Sequence, residues 1–371
     1  MEQTQPFSRL TVVTDKTRSK EVLAELRTLG VHHVQIETGR SVLLLQLSGL
    51  KKLFGSGQGI QEDTVSSFSF LVQGTQEEAV IHYLTSALSL DMPGNGSVFG
   101  KKVDLVQSVL QKPETLNVPA SSSTVIAKHL VGITCITQKG EANEVAQIGL
   151  NTGTAVPTVT LGRGLGVRNR MGLWRILVPA EKEVTTVAVD ENDADTVLDM
   201  MVGAGKLDQP GKGFVYSYPL SMGVLNTKFF AGNTQQAASV EQIVSVIDEI
   251  KGSTDWRKKA LSVEGAQPRT QNLITGIMDI TITCNEGTAD TFTTVAMNNG
   301  AGGATVSLAK HVPLVESEDS VSPAREIISM TLKPDGLASM HAALQEAGLF
   351  EAEAAGEILT NQVTKAVTYL G

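Results

Sequence analysis

Cysteine is nearly absent: Cys135 and Cys284 are the two in 371 residues, each inside an apolar β-like run. They form no CxxC pair and no Cys/His ligand set, so a structural zinc site is not expected. Both read as buried small hydrophobes. The six histidines, at 32, 33, 82, 129, 311 and 341, also lack ligand spacing. His82 and His341 fall on helical stretches as surface or packing residues. Aromatic residues make up 4% of the chain, so any core is mainly aliphatic. No run of about 18 apolar residues exists, which argues against a membrane-spanning helix. Met1–Ser8 is polar and lacks an apolar signal core, so a cytoplasmic location is expected. Positive charge is in deficit, with 30 Lys and Arg against 39 Asp and Glu. A net charge of −9 argues against nonspecific nucleic-acid binding. No nucleophile with a plausible base partner stands out, and the glycines at Gly162–Gly166 do not open a helix as a dinucleotide fingerprint would. The expectation is a protein that is not an enzyme.

What the chain does have is an internal repeat. Ile133–Leu161 aligns without a gap to Ile280–Leu308. Gly140 matches Gly287, Ala142 matches Ala289, Asn151 matches Asn298, Gly153 matches Gly300, and Leu161 matches Leu308. Leu10–Arg40 is a weaker third copy, its Gly30 corresponding to Gly153 and its Gly39-Arg40 to Gly162-Arg163. Each copy begins with an apolar β run: Leu10–Val13, Val131–Ile136 and Met278–Ile282. A helix follows, with Val22, Leu23, Leu26 and Leu29 at helical spacing in the first copy. A glycine then ends it. The next strand is Val34–Glu37, Thr158–Leu161 or Thr305–Leu308.

The later half of each copy recurs too. Long loops, Val42–Asp63, Leu165–Val184 and Ala309–Glu326, precede strands at Phe68–Val72, Thr186–Val189 and Ile328–Leu332. Second helices are expected at Glu77–Leu88, Asp193–Val202 and Leu337–Glu346, and a last strand is clearest at Gly213–Tyr218. The order βαββαβ predicts an α+β chain of three tandem ferredoxin-like domains, each a four-stranded antiparallel sheet with two helices on one face. The boundaries read as 1–106, 123–220 and 272–371. The linker 221–271 carries an amphipathic helix (Val240, Ile243, Val244, Ile247, Ile250) between Ser239 and Gly252.

The middle copy holds the most informative residues. One stretch is TVTLGRGLGVR, Thr158–Arg168, and another is GAGKLDQPGKGFVY, Gly203–Tyr216. Here the chain resembles the PII family of small-molecule-sensing regulators. That family carries a Thr-Val strand running to Gly-x-Gly and a mobile T-loop, and a Gly-Lys-x-Gly-Asp-Gly-Lys-x-Phe-Val segment before the last strand. Thr158, Gly164 and Gly166 fall on the first motif; Gly205-Lys206, Gly211-Lys212 and Phe214-Val215 fall on the second. The resemblance covers about 95 residues of the middle copy and reaches the others through the repeat. It implies domains packed as a trimer, here within one chain, with a possible homo-oligomer beyond that. It further implies ATP, ADP or AMP bound between domains, and loops that dock on a transporter, enzyme or regulator, including one at a membrane. The implied ligand residues are Thr158, Gly164, Gly166, Arg168, Gly211 and Lys212, since Gly-rich backbone N–H groups cradle phosphate and a lysine adds charge.

The chain also departs from the family. Val167 stands where the family has arginine. The second segment has one extra residue and no Gly-Asp-Gly. The two arginines beyond the last strand are missing near Gly223 and Leu225. The loop Leu165–Val184 has no tyrosine, which removes the usual uridylylation site. The wider stretch Gly162–Val184 instead holds Arg163, Arg168, Arg170 and Arg175 around Trp174, residue types enriched in binding hot spots. Arg163, Arg170, Trp174 and Arg175 are therefore candidates for the partner-binding loop. The expected function is a regulator that binds a small anion between domains and a protein through its loops. The rival is a ligand-free assembly protein built from the same repeats.

Overall fold

The computed structural model describes residues 7–45, 59–152, 155–165, 181–228, 251, 273–315 and 321–369. The chain is a mixed α+β protein dominated by one antiparallel sheet of 14 strands. In order, the elements are β1 (Phe7–Asp15), α1 (Ser19–Thr28), β2 (His33–Leu44), β3 (Ile60–Gln73), α2 (Glu77–Leu88) and β4 (Ser97–Ser108). Then come β5 (Ala127–Gln138), α3 (Ala142–Thr152), β6 (Thr158–Leu165), β7 (Glu181–Asp190), α4 (Ala194–Gly205) and β8 (Gly213–Val224). After the two-residue β9 (Leu273–Ile274) follow β10 (Met278–Asn285), α5 (Ala289–Asn298), β11 (Ala304–Pro313), β12 (Ala324–Leu332), α6 (Leu337–Glu346), β13 (Glu357–Gln362) and β14 (Lys365–Thr368). Among the described residues no helix is long and apolar enough to cross a membrane. The expected linker helix at 239–252 lies outside the described residues, apart from Lys251.

Alternation along the strands separates two faces. In β1, Leu10 and Val12 are fully buried with Phe68 and Phe70 of β3 and with Val22, Leu26, Ile81 and Leu84 of α1 and α2. Ile133 and Cys135 of β5 pack with Val197 and Met201 of α4. Ile280 and Ile282 of β10 pack with Phe292, Met340 and Leu344 of α5 and α6. Each fully buried Leu or Phe contributes about 1.5–3 kcal/mol relative to exposure. Both cysteines lie in these cores, and burial pushes the Cys284 thiol up to about 11. Helix ends repeat as well. Gly30, at φ +80°, lets Val31 N–H reach back to Leu26 O at 3.1 Å, and Gly300, at φ +103°, does the same for Ala301 and Ala296.

Strands run in the orders β4-β1-β3-β2, β8-β5-β7-β6 and β13-β10-β12-β11, and these stretches join at both edges. On one side Gly39–Ser41 of β2 pairs with Thr158–Thr160 of β6, Arg163–Leu165 of β6 with Ala304–Val306 of β11, and Lys310–Pro313 of β11 with His33–Ile36 of β2. On the other, β4 pairs with both β13 and β8, and β8 pairs with β14. This explains why β4 and β8 overrun the expected boundaries at 106 and 220: Ser108 pairs with Glu357, and Val224 with Val98. The expected loops are shorter than their sequence bounds for a similar reason. Val42, Leu44 and Ile60 extend the β2–β3 arm and pack on Ala142, Ala146 and Leu150 of α3. Residues 46–58, 166–180 and 316–320 lie outside the described residues.

Ion pairs reinforce the seams. Glu183 of β7 is buried and accepts the N–H groups of Gly140 and Ala142 at the start of α3, at 2.8 and 3.1 Å. Arg40 of β2 reaches across to the same carboxylate at 3.0 Å. Glu326 of β12 repeats this at α5, accepting Gly287 and Ala289 N–H at 2.9 and 3.0 Å, with Arg163 of β6 3.8 Å away. A carboxylate at a helix N-terminus is favoured by the helix dipole, and a cation keeps its buried charge compensated. Arg40→Ala should cost about 2 kcal/mol, less than a fully buried pair because Arg40 keeps some exposure. Urea denaturation of wild type and variant measures this.

Candidate functional site

The turn expected to hold phosphate is formed but occupied. Gly205 closes α4, and Lys206 adopts a left-handed conformation at φ +51°. Gly211, at φ +73°, turns the chain into β8, and its carbonyl accepts from Gln138 Nε2 at 3.0 Å. Lys212 Nζ bonds Glu141 Oε1 at 2.7 Å. Thr158 sits at the opposite end of β6 from Gly164. Six residue steps along the strand separate them, about 20 Å. Gly164 pairs with Thr305 of β11. Gly213, next to Lys212, is separated from β6 by β5 and β7, about 14 Å. Thr158, Gly164 and Lys212 therefore do not meet at one point. Arg163 is held by Asp290, at 2.7 and 3.1 Å. Gly166, Arg168, Arg170, Trp174 and Arg175 lie outside the described residues.

Thr158 belongs to a different feature. The sheet faces turned away from the helices enclose a cavity of about 260 Å³. A row of hydroxyls crosses its wall. Thr11 pairs with Ser69, Thr158 and Thr134 flank Thr186, and Thr281 and Thr305 flank Ser329. Within it Thr11 and Ser69 hydroxyls are 3.1 Å apart, and Thr134 donates to Tyr218 Oη at 3.3 Å. Apolar Phe7, Leu71, Val103, Leu105 and Leu359 cluster beyond one end. At the other lie Asp15, Asp63, Asn226 and Lys228, with Asp15 exposed.

Between the hydroxyls and the apolar cluster lies a charged layer. In the repeat alignment Arg9, Gly132 and Asp279 occupy one position. Arg9 pairs with Lys101, and Gly132 with Tyr218. A side chain at 132 would collide with the Tyr218 ring. Lys101 Nζ bonds Asp279 Oδ2 at 3.1 Å and lies 4.8 Å from the Tyr218 ring centre. Loss of water lowers the Lys101 pKa, and Asp279 opposes that shift. Burial pushes Tyr218 up to about 12 and Tyr216 well above its ordinary value, so both phenols stay protonated at neutral pH. Arg9 also borders a second cavity of about 50 Å³ that includes Glu114 and Glu357.

The sequence reading singled out Thr158 and missed the rest of this wall. The signal was a period-two alternation of hydroxyl and apolar residues, as in Ser67-Phe68-Ser69-Phe70 and Ile280-Thr281-Ile282-Thr283. It places one polar side chain on every inward position of a strand.

Glu357 provides a test of this buried region. Burial raises its pKa above 4.5, against the opposing pull of Arg9 and of the Ser108 hydroxyl at 3.1 Å. A raised folded-state value stabilises the fold most below the unfolded pKa, and that contribution is lost as pH rises through the folded value. Glu357→Gln should therefore be more stable than wild type at neutral pH, with the gap widening from about pH 4 to about pH 7 in denaturation curves. A gap constant with pH would contradict this. No protein-family model matches the chain, and none of the curated proteins compared with it matches.

Proposed function

We propose that this chain is a PII-like regulatory protein rather than an enzyme. Three ferredoxin-like units of one chain take the places of three subunits in a trimer. A small anion such as ATP, ADP or AMP binds between units, and the long loops engage a protein partner. One observation supports this reading: within the single sheet a four-stranded order recurs three times, and the three stretches pair with one another at both edges. Clefts between units follow from such an arrangement, and a ligand that favours one loop arrangement shifts the population towards it. The link from fold to function is analogy. Separate ion pairs favour the ligand-free assembly reading: Lys212 is neutralised by Glu141 and Arg163 by Asp290, within the chain.

Calorimetric titration of ATP, ADP, AMP and cyclic AMP separates the two. Lys212→Ala should weaken nucleotide binding roughly tenfold or more, as expected for a charge-assisted hydrogen bond. Glu141→Gln should strengthen it by removing the competing carboxylate. Absence of binding at about 1 mM would leave the assembly reading, and equal binding to wild type and Lys212→Ala would place the site elsewhere.

A further inference from the structure

We propose that the central cavity binds a small oxyanion, a carboxylate or phosphate group, held by the Arg9 guanidinium and the hydroxyl row. This site is separate from the Lys212 turn and does not depend on nucleotide binding there. Its charge balance carries the inference. Lys101 and Asp279 satisfy each other at 3.1 Å. Arg9, their neighbour across the β1–β4 pair, makes no hydrogen bond or ion pair of its own among the described residues. Glu357 attracts it from the side of the second cavity, but that carboxylate is buried, accepts the Ser108 hydroxyl and is driven towards its neutral form. The layer at Arg9 therefore holds two cations, Arg9 and Lys101, against the one carboxylate of Asp279, while the other carboxylates of the lining, Asp15, Glu37 and Asp63, stand beyond the hydroxyl row. A guanidinium presents paired N–H donors that match the two oxygens of a carboxylate or phosphate. The Ser329 hydroxyl and the one proton left over by the Thr11–Ser69 pair can donate to the same group.

Size narrows the ligand. A volume of about 260 Å³ lies below the ~300–1,000 Å³ of sites for drug-sized molecules. It suits a short acid or a free phosphate better than a nucleotide. The neighbouring apolar cluster and the low polarizability of the surrounding protein strengthen a charge pair formed there.

Succinate and inorganic phosphate, at matched ionic strength, should be titrated against the full-length wild type, Arg9→Met, Ser329→Ala and Lys212→Ala. Calorimetry and the shift in thermal midpoint are the readouts. At least one anion should bind wild type. Binding should fall about tenfold or more in Arg9→Met and a few-fold in Ser329→Ala, and should be unchanged in Lys212→Ala. Succinate alone assigns the carboxylate class; phosphate alone assigns the phosphate class. If neither binds wild type at about 10 mM, or if Arg9→Met binds as well as wild type, the proposal fails. Should Arg9→Met not fold, Ser329→Ala and Thr281→Val decide the matter, and unchanged binding in both overturns it.

Discussion

Edge pairing is the constraint on which the rest of the structure depends. An antiparallel sheet covered by helices on one face leaves a second face bare and two edges with unpaired N–H and C=O groups. Here each stretch of sheet answers both needs with the others. Pairing of β2, β6 and β11 closes one set of edges, and β4, β8, β13 and β14 close the other. The uncovered faces then enclose a common space. That arrangement explains why strands that are apolar towards their helices carry serine and threonine on the opposite side. A hydroxyl tolerates partial burial if a neighbour accepts or donates, and facing strands supply one.

The three four-stranded stretches differ in the charges they carry. Arg9, Gly132 and Asp279 stand at one position of the repeat alignment, a cation, a gap and an anion. Lys101 then pairs with Asp279 from a different stretch, and Tyr218 fills the space over Gly132. The seams diverge as well. Arg40 and Arg163 each cross to a carboxylate that caps a helix of the next stretch, whereas α1 starts beyond a turn in which Asp15 caps Thr17 at 2.8 Å. The asymmetry is electrostatic, and it sits on a backbone that repeats.

Much of the local structure was legible because it rests on short-range signals. Apolar periodicity marked Glu77–Leu88 and Leu337–Glu346 at their observed bounds. Glycine marked the helix ends at Gly30 and Gly300, where a left-handed conformation is needed. The burial of Cys135 and Cys284 followed from their apolar neighbours. The candidate site was much less legible. Thr158 was singled out for a phosphate turn, yet it faces the hydroxyl-lined cavity. Lys212 stood out as a phosphate-binding residue, but Glu141 had no motif to announce it as the partner.

By itself the sequence determined where many of the strands and helices lie and which residues turn towards the helices, because periodicity and turn chemistry act within a few residues. Tertiary structure decided which edges pair, how far β2, β4 and β8 extend, and which charges meet. Asp279 and Lys101 are 178 residues apart in the chain, and only closure of the sheets brings them within a hydrogen bond. Arg163 likewise reads as an exposed loop cation until β6 pairs with β11 and places it beside Asp290. Such contacts depend on long-range strand pairing, and that information is not local to any stretch of sequence.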